Sequence, residues 1–128
     1  GGGFLVDLAG DDSYAAYEHA QGVGLDHAVG MLYESNGDDQ YKAVRQSQGA
    51  GLQSSGVGIL LDSRGADSYT SQSESQGYAL NQDGAADREW PIGLLLDLAG
   101  EDGFAQAEFQ LPDAEGRIVN RQGVAIDY

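Results

Sequence analysis

The chain has 128 residues, 41% of them apolar, and no cysteine, so it reads as one folded domain without disulfides or thiolate metal sites. Against 21 acidic residues stand 6 basic ones, a net charge of −15, which argues against nucleic acid and anionic membrane surfaces as partners and permits binding of cations. There is no run of 18 apolar residues and no signal peptide, so no membrane insertion is expected. The 20 glycines, with Tyr, Leu and Val, favour turns and short strands over long helices.

The first element is an apolar triplet, Phe4-Leu5-Val6, ending at Asp7. A glycine turn follows, then the acidic pair Asp11-Asp12, then Tyr14, and seven residues later Gln21-Gly22 with Leu25 behind it. The same order returns with Met31-Leu32-Tyr33, Glu34, Gly37, Asp38-Asp39, Tyr41, Gln48-Gly49 and Leu52. It returns again with Ile59-Leu60-Leu61, Asp62, Gly65, Ala66-Asp67, Tyr69, Gln76-Gly77 and Leu80. The fourth copy has Leu94-Leu95-Leu96, Asp97, Gly100, Glu101-Asp102 and Phe104, and its Gln-Gly arrives late at Gln122-Gly123, before Ile126. The motif glycines Gly10, Gly37, Gly65 and Gly100 fall 27, 28 and 35 residues apart. Repeats therefore run over about 3–29, 30–57, 58–92 and 93–128. Gly3 holds the place later held by Gly30, Gly58 and Gly93, so the chain opens inside a repeat and reads as a piece of a longer solenoid.

Two polar, turn-rich insertions interrupt the period, Gln82–Pro91 and roughly Leu111–Arg121. Trp90 in the first is expected to fold back over apolar surface or to mark a binding site. Each unit is expected to hold a strand ending at the acidic position, a glycine turn, and a second strand from the aromatic toward the Gln. Gly at two or three places per unit disfavours helix, at about 1 kcal/mol each. One unit cannot bury its own apolar face, but stacked neighbours can. The expected fold is all-β, a parallel β-solenoid of about four turns with two loop insertions. A propeller is the alternative, although its blades need about 40 residues; a hairpin array comes third. Open strand edges at both ends would make the chain oligomerise.

Stacking turns the repeat into columns about 4.8 Å apart. The first acidic column is Asp7, Glu34, Asp62 and Asp97; the second is Asp12, Asp39, Asp67 and Asp102; a third is Asp11, Asp38 and Glu101, with Ala66 in its gap. Like charges at that spacing repel by about 1 kcal/mol in water and several times that in a lower dielectric. Bound divalent cations, backbone N–H groups capping each carboxylate, or raised pKa values would each relieve this. Oxygen ligands without sulfur suit Ca²⁺ better than Zn²⁺. The aromatics Tyr14, Tyr41, Tyr69 and Phe104 form a ladder, either core packing or a carbohydrate-stacking platform. Gln21, Gln48, Gln76 and Gln122 form an amide ladder bonding turn to turn. Leu5, Leu32, Leu60 and Leu95 sit in triplets apolar on both faces, so they are expected to meet another layer or a partner chain. His19 and His27 have no counterparts and read as surface residues.

Gly10-Asp11-Asp12-Ser13-Tyr14 and its three counterparts resemble the second half of the RTX nonapeptide, Gly-x-Asp-x-apolar. That resemblance implies calcium-binding turns with Asp12, Asp39, Asp67 and Asp102 as side-chain ligands. The opening Gly-Gly of RTX is replaced here by Asp7-Leu8, Glu34-Ser35, Asp62-Ser63 and Asp97-Leu98, and the nine-residue tandem period is absent. The chain is also similar to long bacterial arrays of Leu-x-Asp-x-x-Gly-x-Asp-x-Tyr and Gln-Gly units.

Because every marked residue is repeated, the expected function is a non-enzymatic structural or interaction module, Ca²⁺-stabilised through its acidic turns. Its partners are then neighbouring repeats and a protein or carbohydrate. Calcium dependence would favour an extracellular or periplasmic setting. The alternative is a carbohydrate-active or carbohydrate-binding β-helix with Asp11, Asp12, Asp38 and Asp39 as acid and base. The scatter of Lys42, Arg45, Arg64, Arg88, Arg117 and Arg121 counts against it.

Overall fold

The computed structural model describes residues 1–80, 90–106, 117–120 and 123–127. The expected solenoid is present: the described residues are all-β, wound in about four turns. The first turn comprises β1 (Gly2–Val6), β2 (Ser13–Ala16) and β3 (Gly24–Leu25). The second comprises β4 (Val29–Glu34), β5 (Gln40–Ala43) and β6 (Gly51–Leu52), and the third β7 (Val57–Asp62), β8 (Ser68–Ser71) and β9 (Ala79–Leu80). The fourth opens with β10 (Ile92–Asp97) and β11 (Gly103–Gln106), and β12 (Arg117–Asn120) and β13 (Gly123–Ile126) follow. Each of the first three turns thus has three sides, one more than the sequence suggested, because a two-residue strand is too short to show a pattern.

Equivalent strands stack into three sheets: β1-β4-β7-β10-β13-β12, β11-β8-β5-β2 and β3-β6-β9. All pairings are parallel except β12 with β13, which is antiparallel. The register is the repeat alignment itself: Gly30 faces Gly58, Leu32 faces Leu60, Glu34 faces Asp62 and Tyr41 faces Tyr69. Most of the two insertions lies outside the described residues. Of the first, Trp90 is exposed and Pro91 buried; of the second, Arg117–Asn120 form β12 rather than loop. One end of the first sheet is therefore edged by an antiparallel strand, while β1 edges the other.

The C-terminal strand departs from the expected alignment. Leu94, Leu95 and Leu96 pair with Val124, Ala125 and Ile126, so Gly123 stands in the column of Gly58 and Gly93, not in a Gln-Gly turn. β13 is the first rung of a fifth turn. Gln122 lies outside the described residues, so its expected place in the Gln column does too.

Side chains alternate along each strand of the first sheet. In β7, Gly58, Leu60 and Asp62 point inward and are buried, while Val57, Ile59 and Leu61 are half-exposed outside. Leu32, Leu60, Leu95 and Ala125 pack inward against Tyr41, Tyr69 and Phe104 of the second sheet. The leucine column is thus interior, and the neighbouring residues of each triplet form the outer face. A second cluster, Ala50, Leu52 and Tyr78, fills the third side. There the first and third sheets approach backbone to backbone: a Cβ on Gly58 would lie 2.0 Å from the Ala50 carbonyl oxygen.

Candidate functional site

The acidic columns stand where the first sheet turns into the second. An acid at the end of β4, β7 or β10 has the same parity as the inward leucine two residues earlier, so its side chain enters the interior. Glu34, Asp62 and Asp97 are fully buried there. The chain then turns through Gly37, Gly65 or Gly100 and brings the second column inside as well: Asp39, Asp67 and Asp102 are 1%, 3% and 3% exposed. In the end turn Asp7 and Asp12 are half-buried. The third column faces outward: Asp11, Asp38 and Glu101 are exposed.

Backbone N–H groups cap much of this charge. The Asp12 N–H donates to Asp39 Oδ1 at 2.6 Å, the Asp39 N–H to Asp67 Oδ1 at 2.6 Å, and the Asp67 N–H to Asp102 Oδ1 at 2.7 Å. The third column bonds in the opposite sense, with the Asp38 N–H donating to Asp11 Oδ1 at 3.0 Å and the Ala66 N–H to Asp38 Oδ1 at 2.9 Å. In the first column the Leu8 N–H donates to Asp7 Oδ1 at 2.8 Å.

The aromatic ladder supplies phenol donors to the first column. Rings of Tyr14, Tyr41, Tyr69 and Phe104 stack nearly parallel, with centroids 5.1, 4.7 and 4.6 Å apart. The Tyr41 hydroxyl donates to Asp62 Oδ2 at 2.6 Å and the Tyr69 hydroxyl to Asp97 Oδ2 at 2.8 Å. Burial first, and the adjacent carboxylates second, hold both phenols well above their usual pKa, so they remain donors. Tyr41 and Tyr69 are fully buried and Phe104 nearly so, so these three rings present no face to a sugar.

The Gln column also differs from a side-chain ladder. Gln48 Nε2 donates to the Tyr41 carbonyl at 3.0 Å and to the Thr70 carbonyl at 3.1 Å, so its amide ties its own turn to the next through the backbone. Gln21 and Gln76 repeat this, on Tyr14 with Lys42 and on Tyr69 with Ala105. The backbone at Gln48 is left-handed, φ 52°, and at Gly49 again, φ 77°. These two residues reverse the chain and carry the amide inward.

What the capping leaves over is specific. Neither carboxylate oxygen of Glu34 has a hydrogen-bond partner, although the residue is fully buried. Asp39 Oδ2, Asp67 Oδ2 and Asp97 Oδ1 are likewise buried without one. Burial, and then mainly other carboxylates, push these groups up: Glu34 to about 7, Asp67 to about 8 and Asp97 to about 7, with Asp39 raised as well. Hydrogen bonds lower these values in part, as the Asp39 N–H does for Asp67.

Two groups of three carboxylates result. Glu34, Asp39 and Asp62 bring one oxygen each within 4.8 Å of one another, and so do Asp67, Asp97 and Asp102. Six of the eleven acidic residues singled out by the sequence are therefore brought together, while Asp7, Asp12, Asp11, Asp38 and Glu101 belong to neither group. Asp127, 5% exposed, was missed. It follows β13 as Asp97 ends β10, and the signal was Gly123-Val124-Ala125-Ile126-Asp127 read against Gly93-Leu94-Leu95-Leu96-Asp97.

On the surface, His27 pairs with Asp26 and Arg45 with Glu18. No described helix is long and apolar enough to cross a membrane. The chain matches no protein-family model, no curated protein and no solved structure.

Proposed function

We propose that the chain is a non-enzymatic structural repeat module, stabilised by Ca²⁺ held among its stacked acidic turns. The observation that carries this reading is the fully buried, unpartnered carboxyl of Glu34 within a column of acids. Burying ionised carboxylates without compensation is expensive, whereas a divalent cation turns mutual repulsion into shared ligation. Repetition supports the structural role, since the same side chains recur in turn after turn with the same bonding, as a scaffold needs. A glycosidase requires carboxyl groups facing a substrate, and Asp39, one of the four acids such a reaction would draw on, is 1% exposed. Calcium dependence accords with an extracellular or periplasmic setting.

The test is thermal melting of the chain in chelator, in Ca²⁺ and in Mg²⁺. Ca²⁺ at about a hundred times its Kd adds roughly 3 kcal/mol per site, a shift of several degrees. Equal melting temperatures in chelator and Ca²⁺ would remove the calcium part of the proposal.

A further inference from the structure

We infer that the chain holds two interior cation sites, one formed by Glu34, Asp39 and Asp62 and the other by Asp67, Asp97 and Asp102, each clamping two successive turns. The inference rests on the calcium reading above and fixes where the ions sit, how many there are, and which acids take no part.

Three observations carry it. The first is the pair of orphaned Glu34 oxygens in a fully buried side chain, with Asp39 Oδ2 orphaned in the same group. The second site has the same feature in Asp67 Oδ2 and Asp97 Oδ1. A buried carboxyl without a strong donor calls for a proton or a cation, and one cation can serve all three acids of a group at once. The second is spacing. Oxygens bound to one Ca²⁺ at about 2.4 Å are at most about 4.8 Å apart, and each trio brings its ligand atoms within 4.8 Å. The third is a division of labour on two Asp of the second column. On Asp39 and Asp67, Oδ1 accepts a backbone N–H and is fixed by it, leaving Oδ2 for the ion.

The topology makes each site a clamp. Glu34 and Asp39 belong to the second turn and Asp62 to the third; Asp67 belongs to the third turn and Asp97 and Asp102 to the fourth. A site on every Gly-x-Asp turn, the arrangement the RTX resemblance implies, would number four and draw on Asp12 as well; a site built from all three acidic columns would also draw on the outward Asp11 and Asp38. These already accept N–H bonds from the next turn and are exposed. The donor set is all carboxylate oxygen, which selects a hard divalent cation with flexible geometry, Ca²⁺ over Mg²⁺.

The experiment is calorimetric titration of the intact chain with CaCl₂ after chelation, repeated on variants. The unmodified chain should bind two Ca²⁺. Glu34→Gln should bind one, and this amide is close in shape to the carboxyl it replaces. Asp39→Asn is the second variant at that site and should also bind one. Asp97→Asn should lose the other site alone, and the double variant Glu34→Gln/Asp97→Asn should bind none. Asp11→Asn/Asp38→Asn should still bind two. Two Ca²⁺ bound by both Glu34→Gln and Asp39→Asn, or loss of binding in Asp11→Asn/Asp38→Asn, would overturn the placement while leaving the calcium reading intact. No heat and no bound Ca²⁺ in the unmodified chain would overturn both.

Discussion

Without a cation, the buried carboxyls should make this protein less stable as pH rises through neutrality. Asp67 is 3% exposed, and burial, with Asp62, Asp97 and Asp102 around it, lifts its pKa from 3.8 to about 8. In the unfolded chain it is ionised above about pH 4. Between those values the folded state holds a proton that the unfolded state has released. Stability therefore falls with pH by about 1.4 kcal/mol per unit for this one group. From pH 5.5 to its folded pKa, Asp67 alone removes about 3 kcal/mol, a large share of a typical 5–15 kcal/mol. Glu34 and Asp97, each raised to about 7, act in the same direction. The assay is urea unfolding in chelator at pH 5.5, 7 and 8.5, on the unmodified chain and on Asp67→Asn. The unmodified chain should lose stability at each step, and Asp67→Asn should lose about 1.4 kcal/mol less per unit below pH 8. Stability that is flat or rises with pH, or an identical slope in Asp67→Asn, would refute the reasoning.

Two further substitutions test the frame that holds the carboxyls. Gly58→Ala drives a methyl to within 2.0 Å of the Ala50 carbonyl oxygen and should cost about 2 kcal/mol or more by urea unfolding. Gly3→Ala, at the same repeat position in the end turn, meets nothing within 4 Å and should stay within about 0.5 kcal/mol. Tyr41→Phe keeps the ring stack, since Phe104 already holds that column, but removes the 2.6 Å bond to Asp62 Oδ2. It should lower unfolding free energy by about 1.5–3 kcal/mol, and an unchanged urea midpoint would remove the phenol from the account.

The sequence carried the columns but not their direction. Aligning Gly10, Gly37, Gly65 and Gly100 places Glu34 beside Asp62 and Tyr41 beside Tyr69, as the strand register has them. Triplets such as Ile59-Leu60-Leu61 are apolar throughout, so they show no alternation and hide which face is the core. The clue was parity: the acid ending each strand lies two residues from Leu60 or its counterpart and must share its side. Asp127 was hidden because the second insertion broke the spacing and Gln122-Gly123 imitates the Gln-Gly turn. The inward reach of Gln48 depends on a left-handed backbone at a non-glycine residue, which composition does not announce. Orphaned oxygens are a property of three-dimensional packing, so the two carboxylate trios could not be separated from the exposed Asp11 and Asp38 beforehand.

The most direct test of cation-clamped acidic columns is the gain in melting temperature on adding Ca²⁺, compared between pH 5.5 and pH 8.5. At pH 5.5, protons on Glu34, Asp67 and Asp97 already relieve the columns and compete with the ion; at pH 8.5 they do not. A Ca²⁺-specific gain that is larger at pH 8.5 is expected, with Mg²⁺ giving little at either pH. A gain equal at both pH values, or no gain at pH 8.5, would contradict it.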